Sequence, residues 1–219
     1  MRTRPTTAAA AALTTAAVLL LSACGGGGSD STDNDKIAGA DTGAPTSASP
    51  TPSASADQIK RPEIKLPSDI QNVFEGGTTG DPTKDAVLAD NERRINSITE
   101  AITVDAKEHP ALKFYSKGDA LLTSYTYIKG FYDKNRSYVG KARYYDREVT
   151  ILSDGVAAVT YCEDGTQTYP KDRKTGKVDR SIKGSASDYA FYNTRLERNA
   201  QGVWQTTSVS STEAAKRCM

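Results

Sequence analysis

Four tyrosines on strand-like segments, Tyr144, Tyr161, Tyr189 and Tyr192, and the single tryptophan, Trp204, are the residues of this sequence best suited to line a ligand pocket. Tyrosine supplies a flat apolar face and one hydroxyl, the mixture found in clefts for small molecules. It also simply suits a strand, and that plainer reading is the favoured one for all four. Trp204, beside a tight turn, reads first as core filling. Catalysis has less to start from. His109 is the only histidine, so a Ser-His-Asp or Cys-His set would have to form around a residue that precedes Pro110 at a polar helix junction. Metal chemistry lacks a His/Cys cluster. Asp30, Asp33 and Asp35 resemble the opening of a calcium loop, but the glycine and the closing glutamate are missing. No catalytic residue, metal or cofactor is therefore expected. The run from Lys171 to Arg180 carries five basic residues against two acidic ones and reads as a solvated loop rather than a patch for anionic lipid or wall polymer.

The three cysteines carry a clearer message. Arg2 and Arg4 precede an apolar run from Ala8 to Leu21, then Ser22 and Ala23, the layout of a secretory signal over residues 1–23. That run is shorter than the roughly 20 residues a membrane-spanning helix requires. Leu21-Ser22-Ala23-Cys24 resembles the lipobox of bacterial lipoproteins, in which the cysteine thiol receives diacylglycerol and becomes the new N-terminus. Two acyl chains on one residue anchor stably where one is marginal. The expected address is the extracellular face of the cytoplasmic membrane, held by Cys24. With Cys24 lipidated, Cys162 and Cys218 remain in an oxidising compartment and are expected to be bonded. The net charge of +1 becomes −1 once Arg2 and Arg4 are removed, which offers nothing to nucleic acid.

Residues 24–65 are a Gly/Ser/Thr/Pro/Asp mixture and read as a disordered tether, about 42 residues with a reach of roughly 35 Å. A single domain is expected over 66–219. Ile70, Val73 and Phe74 are spaced for one helical turn in an N-terminal flap docked on that domain. Asp81-Pro82 supplies an N-cap and a first-turn proline. The apolar stripe Val87, Leu88, Ile95, Ile98, Ala101, Ile102 predicts a helix to about Lys107. Two more helices follow, a short one opened by His109-Pro110 that runs through Leu112, Phe114 and Tyr115 and ends near Gly118, and one from Asp119. Beyond Tyr138, β-branched and aromatic residues punctuated by Asp154-Gly155, Asp164-Gly165, Thr175-Gly176 and Gln201-Gly202 predict four antiparallel strands, 138–152, 156–163, 187–199 and 203–210. The first changes phase, which a bulge near Asp146-Arg147 would reconcile. The class is α+β, N-terminal helices packed on a curved antiparallel sheet.

That order resembles the cone-shaped fold of the nuclear transport factor two superfamily. The local motifs Leu66-Pro67-Ser68-Asp69, Thr79-Gly80-Asp81-Pro82, Asp85 to Asp90, Tyr144-Tyr145-Asp146 and Asn199 to Trp204, with the lipobox and tether, resemble a family of uncharacterised actinobacterial lipoproteins over residues 66–219. The resemblance implies location, fold and the Cys162–Cys218 bridge, and no catalytic residue. Some cone-fold enzymes, ketosteroid isomerases among them, pair a carboxylate base with hydroxyl donors inside a cavity. Asp188 beside Tyr189 and Glu163 beside Tyr161 are the matching pairs here, and strand neighbours facing opposite ways argue against both. The leading expectation is a non-enzymatic envelope module that binds a small molecule or a partner protein. A cavity enzyme of isomerase or dehydratase type and a purely structural envelope protein are the alternatives.

Overall fold

In a computed structural model, which describes residues 59–219, Asp81 accepts hydrogen bonds from the backbone N–H of Thr83 at 2.8 Å and of Lys84 at 3.1 Å. With Pro82 at the first helical position, this cap starts α1, Pro82–Thr103, where the motif predicts. The helix stops four residues short of the expected Lys107, because Val104 adopts extended backbone. Two further helices, α2 (Pro110–Tyr115) and α3 (Gly118–Asp133), follow as expected. The signal segment, Cys24 and the tether up to residue 58 lie outside the described residues. Among those described, no helix is long and apolar enough to cross a membrane.

The helices pack against one five-stranded sheet, β1 (Ile70–Phe74), β2 (Arg136–Ser153), β3 (Val156–Asp172), β4 (Tyr189–Arg198) and β5 (Trp204–Glu213), in that spatial order. The α+β class is thus observed. Three expectations are corrected. Ile70–Phe74 is a strand rather than a helical turn, pairing parallel to β2 with Phe74 stacked 5.0 Å from Tyr144. A five-residue apolar segment is ambiguous in period, and the open edge of β2 offers it backbone partners. The second long strand continues to Asp172, because Arg136–Lys141 of β2 keeps pairing with Gln167–Asp172. The tether also ends earlier than residue 65: Ile59 and Ile64 pack on Ala111, Tyr115 and Val203, and Arg61 bonds to Asp90.

The bulge falls where the phase change placed it. The β2–β3 register shifts between Tyr145 and Glu148, and Asp146 adopts the left-handed conformation at φ 48°. Ala142 and Tyr144 before it and Val149 after it therefore share one core with Val87, Leu88 and Ile95 of α1, Val159 and Tyr161 of β3, Leu196 of β4 and Trp204 of β5. The bend also turns the Arg147 side chain under the helices, where it meets Glu92 at 2.7 Å and lies over the Phe74 ring. Gly140 permits the crowding of β1, β2 and β3. Its φ is 109°, and a Cβ there would stand 2.1 Å from the Gln167 carbonyl oxygen. Gly140→Ala is expected to cost at least about 2 kcal/mol, through backbone strain and the clash together. Chemical denaturation checks this; a change below about 0.5 kcal/mol would count against the packing described.

Candidate functional site

Alternation along β3 turns Tyr161 and Glu163 toward the helices and Cys162 toward the outer face. Across the ladders Tyr144 stands opposite Glu163 and Tyr192 opposite Tyr161. The Tyr144 hydroxyl donates to Glu163 Oε1 at 3.2 Å, and the Tyr192 hydroxyl donates to the same carboxylate. Tyr161 and Tyr192 stack at 4.9 Å, and Tyr144 meets Tyr161 edge-on at 6.1 Å. The opposite wall comes from α3 and β2, where Tyr127, Phe131 and Tyr138 form a chain of rings at 5.3 and 5.8 Å. Tyr138 is fastened by its hydroxyl to Thr99 of α1 at 3.2 Å. Tyr144 and Tyr161 are buried, Glu163, Tyr138 and Tyr192 are half-buried, and Tyr127 is exposed. These positions describe an aromatic recess around one half-buried carboxylate.

Burial raises the Glu163 carboxyl above its ordinary range, the hydrogen bonds from Tyr192 and Tyr144 pull it back, and the nearby charge of Asp164 adds to the rise. The phenols of Tyr144, Tyr161 and Tyr192 are all raised, by burial first and with the Glu163 charge contributing to each. Burial pushes Tyr138 up to about 12, its bond to Thr99 pulls the other way, and Glu163 adds to the rise. Glu163 is therefore the electrostatic hub of four protonated phenols. Such a group can accept a hydrogen bond from a ligand, or take and return a proton.

A raised carboxyl favours the protonated folded form. Its stabilising share is present below the unfolded value and is lost as pH rises through the folded one. The thermal midpoint of the wild type should consequently fall relative to Glu163→Gln as pH rises from about 4.5 through the folded value. Midpoints measured across that range check this, and parallel curves for the two proteins would contradict it.

Of the residues singled out by sequence, Tyr144, Tyr161 and Tyr192 meet in the recess. Trp204 lies beside them as core, 3% exposed, with its backbone N–H bonded to Asp90 at 2.9 Å. Tyr189 is excluded: it faces outward, against the bonded Cys162 and Cys218. Asp188 is spent on a turn, accepting from the Ser185 backbone N–H at 2.6 Å, so its pairing with Tyr189 supplies no base. Glu163 overturns the argument made against it. It stands two residues from Tyr161, not next to it, and a spacing of two shares a face. Tyr127 and Tyr138 were missed because only the α3–sheet packing brings them near. Elsewhere, an open surface groove of about 380 Å³ beside Asp69, Lys141, Tyr169 and Arg180 touches none of the recess residues.

No family model matches this sequence, and no curated protein matches it. Among solved structures the chain is similar to a ketosteroid isomerase-like protein from Erwinia carotovora atroseptica SCRI1043, with 17% identity over 62% of this chain and 98% of that one and a TM-score of 0.39. It is also similar to the intermembrane space region of the chloroplast protein ARC6, with 16% identity over 59% of this chain and 97% of that one and a TM-score of 0.38.

Proposed function

We propose that this chain is a lipid-anchored, extracytoplasmic binding protein whose recess takes a small, flat, largely apolar molecule that donates a hydrogen bond to Glu163. The observation that supports the ligand reading is a single one: a half-buried carboxylate already holding the hydroxyls of Tyr144 and Tyr192 between aromatic walls. Rings supply stacking area, and a charged acceptor in a partly desolvated site supplies orientation. 2-Naphthol, a flat ring with one donor, is a suitable probe. Saturable quenching of its fluorescence by the full chain is expected, with affinity at least about tenfold weaker in Glu163→Gln, the loss of one charge-assisted hydrogen bond. Binding that is absent, or equal in both proteins, would remove the reading. The anchoring half rests on the Leu21-to-Cys24 motif and is tested separately. Labelled palmitate should be incorporated into the wild type and not into Cys24→Ala, which should leave the membrane fraction.

One observation favours a second reading, proton transfer. The carboxyl of Glu163 is raised toward the range where a base both takes and releases a proton, and phenol donors surround it. An isomerase-type activity would then require Glu163 to reach a carbon-bound proton of the ligand. Deuterium exchange into a bound carbonyl compound, catalysed by the wild type and lost in Glu163→Gln while binding persists, would separate catalysis from binding.

A further inference from the structure

Arg94 of α1 is 5% exposed, yet no carboxylate among the described residues lies within ion-pair distance of it. Its guanidinium is held only by hydroxyls, Nε donating to Ser116 at 3.2 Å and an Nη donating to Ser124 at 3.2 Å. Both hydroxyls are themselves buried. Two neutral acceptors leave the positive charge uncompensated, and a buried guanidinium without a counter-charge is costly. Around it the interior offers further polar groups without partners. Asn91, three residues back on the same face of α1, is 0% exposed, and both its amide nitrogen and its amide oxygen lack a hydrogen bond. Thr206 of β5, also 0% exposed, bridges Ser116 through its backbone, and its hydroxyl has no partner. Buried polar atoms are almost always satisfied, so a cluster of orphans beside an uncompensated cation calls for a guest.

We infer that Arg94, Asn91, Thr206 and the Ser116 hydroxyl form an internal anion site that takes a carboxylate group. The planar guanidinium fork matches the two oxygens of a carboxylate, and the Asn91 amide and the hydroxyls add neutral donors. The anion neutralises the cation that burial otherwise disfavours. The site is independent of the Glu163 reading and stands or falls on different residues. Its carboxylate has two sources, a small free anion or the head of a longer ligand, and the probes distinguish them.

The test uses the full chain with sodium formate and, in a parallel arm, sodium octanoate. The single tryptophan, Trp204, lies two residues from Thr206 on β5 and reports through its emission. A saturable change in that emission, with a rise in the thermal midpoint, is expected from formate if the anion is free, or from octanoate alone if it is a head group. Either response should weaken at least about tenfold in Arg94→Met, which keeps the apolar stem and removes the charge. Asn91→Leu with Thr206→Val provides a second variant should the first not fold, and the same weakening is expected. Wild-type and variant midpoints that move in parallel with salt, or emission that shows no saturation with either anion, would overturn the inference.

Discussion

Replacing Cys162 or Cys218 with serine is expected to lower the thermal midpoint under oxidising conditions by roughly 10 °C. The two cysteines are bonded with Cα atoms 5.5 Å apart and 56 residues apart in sequence. A loop of that length corresponds to about 4 kcal/mol in the chain-entropy model, and each kcal/mol shifts a domain of this size by roughly 2–4 °C. Local packing adds to the constraint. The bridge joins the outer face of β3 to the last turn of the chain, where Ala215, Tyr145, Tyr189 and Phe191 close over it, the Tyr145 hydroxyl bonds to the Cys218 carbonyl, and Arg217 lies over the Phe191 ring. Calorimetry on wild type and variant, with and without reductant, checks this. Equal midpoints for oxidised and reduced wild type would contradict it.

Asp90→Ala is expected to cost about 1–3 kcal/mol, because it leaves the buried Trp204 backbone N–H and the half-buried Arg61 guanidinium without their acceptor. Asp90 is 1% exposed and ties three parts of the chain together: Arg61 before the domain, Arg93 one turn along α1, and the Trp204 backbone N–H at the start of β5. Losing it should also free residues 59–65 from α2, so that trypsin cleaves after Lys65 much faster in the variant than in the wild type. Both readouts matter. A loss of stability without faster cleavage would show that Asp90 supports β5 alone, and unchanged values in both would contradict the assignment.

How far these features were readable from sequence depends on the range of the interaction that sets them. Local signals transferred well. The Asp81-Pro82 cap starts α1, Pro110 starts α2, and the parity switch between Tyr144 and Val149 locates the bulge, because each depends on backbone chemistry within a few residues. Long-range pairing did not transfer. Ile70–Phe74 looks helical until the edge of β2 is present, and β3 looks shorter until Arg136–Lys141 pairs with its second half. The site divides in the same way. Tyr144, Tyr161 and Tyr192 are legible as tyrosines on predicted strands, but so is Tyr189, which faces the other way, and Glu163 is available from its spacing of two from Tyr161. Tyr127 approaches only because α3 folds back over the sheet, and nothing near position 127 encodes that approach. Arg94 lies outside the apolar stripe Val87, Leu88, Ile95, Ile98, Ala101 and Ile102, and burial alone makes it unusual.

The recess also explains why the sheet must bend. Without the bulge at Asp146-Arg147, the parity of β2 would turn either Tyr144 or Val149 outward, and Glu163 would lose one hydroxyl or the core one side chain. The bend therefore serves the core and the carboxylate together.

The central claim is that Glu163 is a hydroxyl-bound carboxyl kept out of bulk water within a tyrosine recess. Carbon-detected NMR titration of its side-chain carboxyl, assigned by comparison with Glu163→Gln, tests this most directly. The account predicts a midpoint above the usual glutamate range, with the ring signals of Tyr144 and Tyr192 moving in the same titration. A midpoint at or below that range, with both tyrosines unaffected, would contradict it.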